Sequence, residues 1–305
     1  MMWVVPTVRI APAAVLSLVL LLGAAPAVLA QEIEPRAYSN IPIGLNFAAL
    51  AYVYSAGDLD IDLPLEDTSL KVHGLALAYV RSFSFFGRSA NVAVALPFGW
   101  LRGEATFRGE RVEREAVGLA DPKLRMAVNL YGAPALKPEE YSTYRQDLII
   151  GVSLAMSMPL GQYEDDKLLN LGTNRWAFKP EIGLSKAWGP LILEVAAGVT
   201  FFTANDDFLG NRTLERAPLY ALQAHLIYNL PWGIWASLNA VGYRGGRVTV
   251  DDREGESIQE KVRVGLTLSF PVTRHSSIKL HGSTGAYART GGTMTTGGIA
   301  WQVAW

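Results

Sequence analysis

The sequence contains no cysteine. That excludes disulfides, thiolate metal sites, cysteine nucleophiles and the lipid-bearing cysteine of a bacterial lipoprotein. An excess of charge of one sign is also missing: 27 Lys and Arg face 28 Asp and Glu, for a formal net charge of -1 and a pI near 6.4. With no basic block and no interleaving of aromatic and basic residues, nucleic acid drops out as a partner. Charged residues make up 18% of the chain against 50% hydrophobic, and the mean hydropathy is +0.18, between soluble and helical-membrane compositions. After the first thirty residues no apolar run approaches the ~18 residues of a spanning helix. The apolar surface has to be placed by some other device.

Those first thirty residues read as a secretory signal peptide. Arg9 gives the positive start, residues 11–22 the apolar stretch, and Val28, Leu29 and Ala30 precede a cut before Gln31. An uncleaved anchor is the competing reading, and the stretch is short of the ~20 residues it would need. The expected division is a signal peptide at 1–30, an N-terminal periplasmic or lumen segment at 31–43, and the main body at 44–305.

That body alternates with period two. Val92, Val94, Leu96, Phe98 and Trp100 share one face; so do Leu148, Ile150, Val152, Leu154 and Met156, and again Val262, Val264, Leu266, Leu268 and Phe270. The interleaved positions are small, polar or charged, as when one face of a strand meets lipid and the other a wet lumen. Four further segments, at 124–130, 176–184, 191–201 and 220–228, alternate in the same way, and weaker ones at 44–55, 70–83, 234–244, 277–288 and 297–305 bring the count to about twelve. The fold class is therefore all-β, a transmembrane antiparallel β-barrel of about 12 strands in an outer membrane, with membrane lipid as its surroundings.

Connection lengths agree with this. Short turns fall at 85–89, 188–190, 230–233 and 271–276, and one long inner connection at 131–145 carries a helical turn near Pro138. The other set, at 56–69, 103–117, 160–175, 204–217, 245–257 and 289–296, is longer and is read as outer loops. These loops hold 19 of the 28 acidic residues against 10 basic ones, so the outer rim is acidic. Trp100, Trp176, Phe201 and Tyr220 fall at outer strand ends and Tyr228, Phe270, Trp301 and Trp305 at inner ones, two belts at headgroup level. The terminal aromatic Trp305, after Ile299, Trp301 and Val303, resembles the signal read by the outer-membrane barrel assembly machinery.

Function is sought in the lumen. The inward parity collects Asp121, Lys123, Arg125, Asp147, Lys179, Glu181, Glu194, His225, Lys261, Arg263, Lys279 and Arg289 as pore-lining candidates, a mixed and mildly cationic set. Such a set either filters solutes or neutralises itself and closes a narrow barrel. Neither His275 with Ser276 nor His281 with Ser283 has a carboxylate in register, so no catalytic residues, cofactor or metal are assigned. Asp58, Asp60, Asp62, Glu66 and Asp67 could gather around calcium, but their spacing lacks the ligand pattern of a helix-loop-helix site. Residues 31–42 are either a periplasmic tail or a lumen insert whose Glu34 and Arg36 meet inner-face charges.

Residues 34–40 (EPRAYSN), 42–47 (PIGLNF), 159–163 (PLGQY), 170–176 (NLGTNRW) and 178–181 (FKPE), with the final Trp305, resemble the transporter-like outer-membrane proteins grouped as the MetA-pathway phenol-degradation family. The resemblance implies a barrel in the outer membrane of Gram-negative bacteria and uptake of aromatic or other small organic solutes. The alternative is a non-conducting structural or surface-binding barrel working through its acidic outer loops.

Overall fold

A sheet with one apolar face and one polar face has unpaired backbone along its edges, and in lipid those edges must be closed. In the computed structural model, which describes residues 34–305 apart from 59–64, 108, 142, 256–257 and 291–292, the chain closes them. The expected signal peptide lies outside the described residues, as do Asp60 and Asp62 of the acidic loop. The strands are β1 (Asn46–Gly57), β2 (Leu65–Phe85), β3 (Arg88–Phe107), β4 (Glu110–Leu119), β5 (Lys123–Tyr131), β6 (Leu148–Ser157), β7 (Ala177–Trp188), β8 (Leu191–Phe202), β9 (Asn205–Phe208), β10 (Arg212–Arg216), β11 (Leu219–Asn229), β12 (Trp235–Gly245), β13 (Val248–Val250), β14 (Arg253–Glu254), β15 (Gln259–Pro271), β16 (Ser276–Thr290) and β17 (Met294–Ala304).

Thirteen of them form one antiparallel sheet that closes where β1 meets β17. β4 pairs with the outer half of β3 (Phe98↔Leu119) and β5 with its inner half (Ala95↔Lys123), so the two share one position and the barrel has twelve. Between them Pro122, with no N–H to give a ladder, follows Asp121 at the break. The seam is finished by the last residue: Trp305 N donates to Asn46 O at 3.0 Å and Asn46 N to Trp305 O at 2.9 Å.

The faces are those of a molecule turned inside out. Leu50, Leu77, Leu96, Ile182, Leu222, Leu238, Leu266 and Ile299 are exposed, whereas Ser82, Ser185, Glu194, Gln223, His225, Asn239 and Thr267 are buried. Apolar side chains that would cost stability in water face lipid here. Trp176, Phe201 and Tyr220 are exposed at the outer end, and Tyr228, Trp301 and Trp305 at the inner end. Two inner turns add aromatics at their tips, Phe86 (92% exposed) and Trp232 (86% exposed), both at positive φ. The long inner connection carries α1 (Pro138–Tyr141), with Pro opening the helix.

Three outer segments differ from the expectation of long loops. β2 and β3, at 21 and 20 residues, run roughly 65–70 Å at ~3.3 Å per residue, well past a lipid band of ~25 Å. Residues 103–117 are accordingly the tip of a β3–β4 hairpin in water, laced by Arg102–Glu104 (2.9 Å), Arg102–Glu113 (3.2 Å), Arg111–Glu104 (2.6 Å) and Arg111–Glu113 (3.0 Å). Without lipid on either face, charge replaces the apolar alternation, and a strand then looks like a loop. Segments 204–217 and 245–257 likewise fold, as a second sheet in the order β14-β13-β10-β9 around Phe208, Leu214, Val248 and Val250. The segment 158–176 turns inward, where Leu171, with Leu169 against it, joins Leu70, Val72, Leu101, Ala116, Ala120 and Met294.

Candidate functional site

The first described residues lie inside the barrel. Tyr38 is 2% exposed, its ring seated against Gly151 of β6 and Gly183 of β7, which are partners in register. A Cβ on either glycine would run into the ring, so two absent side chains make the socket. The Tyr38 hydroxyl donates to Glu181 Oε1 at 2.8 Å and lies 3.3 Å from Ser153 Oγ, and the Arg125 guanidinium is 5.6 Å from the ring centroid. Burial first, then the Glu181 charge, push the Tyr38 phenol far above its ordinary range, which keeps it a proton donor.

Neighbouring residues fasten the same segment. Arg36 N donates to Glu194 Oε2 at 2.6 Å, while its guanidinium bonds Asn229 and lies 4.9 Å from the Trp235 ring. Glu34 pairs with Lys279 at 2.6 Å. Below, the long inner connection closes on it: Tyr141 Oη donates to Asn40 O at 2.8 Å, and Ile43 N to Leu136 O at 2.8 Å. Residues 34–43 are therefore fastened to the inner part of the barrel wall and to the long inner connection.

Most sequence-picked charges gather around this segment or above it. Lys179 pairs with Glu181 at 2.7 Å, and Gln223 Nε2 donates to the other Glu181 oxygen at 2.7 Å. His225 Nδ1 lies 2.9 Å from Asn239 Oδ1, in a buried polar ladder with Ser237 and Thr267. Arg263 Nη2 donates to Ser283 Oγ at 2.8 Å and Thr296 Oγ1 at 3.1 Å. Lys261 Nζ lies 5.9 Å from the centroid of Tyr243, its register partner on β12. Lys123 and Arg125 follow one another at period two on β5.

Two candidates do other work. Asp121, in the β4–β5 break, accepts from Gly161 N (3.0 Å), Thr173 N (2.9 Å) and Thr173 Oγ1 (2.5 Å), and so anchors the inward-turned outer segment. Asp147 is a correction: it stands exposed at the inner rim just before β6, bonded to Lys186, because the register moves inward only with Ile149. The side chain of Arg289 lies outside the described residues.

Sequence reasoning passed over Arg175 and Arg216, which it had placed in outer loops. Arg175 is buried and Arg216 half-buried, each with its guanidinium 4.9 Å from the centroid of Phe202, the last residue of β8. Burial pushes Arg175 down to about 10 against the opposing effect of Asp121, and burial with the neighbouring Arg175 charge pushes Arg216 down to about 9. At neutral pH both stay charged. An open cavity of about 790 Å³ is lined by Ser153, Glu181, Tyr243 and Lys261 of the lumen face together with Leu222 and Val262 of the other face. Its size suits a small molecule, for which sites run to roughly 300–1,000 Å³. Among the described residues no group of three or more His, Asp or Glu is placed to hold a metal ion.

The family described as "Putative MetA-pathway of phenol degradation" matches residues 56–301. No curated protein matches the sequence. Among solved structures, an outer membrane channel from Pseudomonas putida F1 superposes with a TM-score of 0.77 at 18% identity, over 90% of this chain and 100% of that one. The β domain of the Bordetella autotransporter BrkA gives 0.55 at 11% identity, over 85% and 99%. The transport unit of the autotransporter AIDA-I from Escherichia coli gives 0.52 at 9%, over 92% and 95%. At these identities the likeness is one of fold, that of outer-membrane barrels.

Proposed function

The chain belongs to the MetA-pathway phenol-degradation family, and from that premise we propose that this outer-membrane barrel is a channel admitting small organic solutes, stoppered on its inner side by residues 34–43. The observation that carries the reading is the open cavity of about 790 Å³ that shares Ser153 and Glu181 with the seat of Tyr38. A barrel built only as a scaffold gains nothing from leaving such a space, since close packing is the cheaper state of an interior. A stopper held by hydrogen bonds and ion pairs, and not by a broad apolar contact, can leave and return. The channel named among the fold relatives points the same way.

The test is reconstitution of the mature protein in planar bilayers and in liposomes loaded for solute uptake. Wild type should show small or flickering conductance and measurable uptake of phenol-sized solutes, and deletion of residues 34–40 should raise the conductance severalfold. No conductance and no uptake from either protein would sink the proposal.

A further inference from the structure

The seat of Tyr38 fits both parts of a phenol, the ring and the hydroxyl. Gly151 and Gly183 border opposite edges of the ring, and one methyl at either position would take that room away. The Arg125 guanidinium, 5.6 Å from the centroid, favours an electron-rich ring in this place. At the far end, Glu181 gives its Oε2 to Lys179 (2.7 Å) and Gln223 (2.7 Å), while its Oε1 takes the Tyr38 hydroxyl (2.8 Å). Ser153 Oγ stands 3.3 Å from the same hydroxyl. Glu181 is 8% exposed, and a buried carboxylate oxygen that loses its donor is costly. A vacated seat therefore selects a ligand with an O–H to give.

The position of the seat matters as much as its shape. Ser153 and Glu181, which meet the hydroxyl, also line the open cavity, so the hydroxyl end borders the space in which a solute would sit. The Cβ end leads the other way, to Ser39 and Asn40, which are tied to Asn129, Pro134 and Tyr141. What holds the ring is the glycine socket, one cation and two contacts to its hydroxyl, and a free phenol can reproduce all of them.

We propose that the Tyr38 seat is a binding site for a phenol, plain or para-substituted, and that Tyr38 occupies it in place of the solute. The para position is the one Tyr38 uses for its own Cβ, whereas the ring edges lie against Gly151 and Gly183. Solute and stopper then compete for one seat, and a phenol arriving from the cavity displaces the residue that closes the way beyond it. This deepens the channel reading and rests on it for the displacement to have a use, although binding itself requires no conduction.

The experiment empties the seat and offers it free rings. Wild type and Tyr38→Ala, each checked for the heat-dependent gel shift of a folded barrel, are titrated calorimetrically in detergent with p-cresol, its methyl ether and cyclohexanol. Tyr38→Ala should bind p-cresol saturably and about tenfold or more tighter than wild type, whose tethered ring is a standing competitor. The ether, with no O–H to give, and cyclohexanol, which is not flat, should each bind Tyr38→Ala about tenfold or more weaker than p-cresol. Adding Gly183→Ala to Tyr38→Ala should abolish the site. Should Tyr38→Ala fail the gel shift, the chain lacking residues 34–40 supplies the empty seat. In wild type, p-cresol should speed tryptic cleavage after Arg36 severalfold, and the ether should not. No saturable binding to the empty seat, binding untouched by Gly183→Ala, or wild type binding as tightly as Tyr38→Ala would overturn the site. The ether or cyclohexanol binding as tightly as p-cresol would overturn its selectivity for a phenol, and cleavage that p-cresol does not speed would overturn the displacement. A barrel that binds p-cresol in the empty seat but passes neither ions nor solutes would refute the channel alone, and a conducting barrel whose empty seat ignores p-cresol would refute this site alone.

Discussion

At the scale of single residues, neighbours along a strand live in different solvents, and that makes them sensitive probes. Leu222 is 59% exposed and faces lipid, while Ala221, one step along β11, is buried on the lumen side. Leu222→Arg should destabilise the barrel by about 2–4 kcal/mol if its depth is near the midplane, whereas Ala221→Arg, whose guanidinium reaches the cavity, should cost much less. Urea unfolding in liposomes measures both, and equal costs would show the face assignment to be wrong. The glycine pair under Tyr38 is a second probe. Gly183→Ala puts a methyl where the ring sits, so it should unseat Tyr38, cost about 1–3 kcal/mol as overpacking does, and raise conductance toward that of the chain lacking residues 34–40. Unchanged conductance in Gly183→Ala would detach the Tyr38 seat from closure.

At the scale of elements, what could be read in the sequence depended on where lipid touches the chain. Where it does, as from Val92 to Trp100 or from Val262 to Phe270, alternation gives strand, face and register together, and the segments become β3 and β15. Outside the lipid that signal vanishes. The β3–β4 tip alternates Arg102, Glu104, Arg111 and Glu113 in place of Val and Leu, and the small outer sheet is only a few residues per strand. The stopper was legible only as a choice between tail and insert. Its seat is built from absent side chains, and Gly151 and Gly183 look in sequence like any lumen-facing glycine. Arg175 was hidden for the related reason that a loop residue has no parity from which to infer that it turns inward.

At the scale of the whole molecule, the question is whether the acidic exterior or the basic lumen sets ion preference. Many outer carboxylates are already neutralised: Glu104 and Glu113 by Arg102 and Arg111, Glu164 by Arg114, Asp166 by Lys167 and Glu254 by Arg247. Those left exposed act weakly beyond ~8 Å at physiological salt. In the lumen the acids are the ones consumed, Glu181 by Lys179, Glu34 by Lys279 and Glu194 by the backbone of Arg36. What remains is the field of Arg125, Arg175, Lys261 and Arg263, poorly screened between low-dielectric walls, where a fixed cation concentrates anions and repels cations. A conducting barrel should therefore prefer chloride to potassium in a salt gradient. Changing Arg125 and Arg263 together to Gln removes two of these charges, one beside the stopper and one halfway up the wall. The reversal potential should then move toward the cation side, most strongly at low salt. A cation-selective wild type, or a double mutant with an unmoved potential at every salt concentration, would mean that these guanidiniums hold Tyr38, Ser283 and Thr296 in place and do not filter ions.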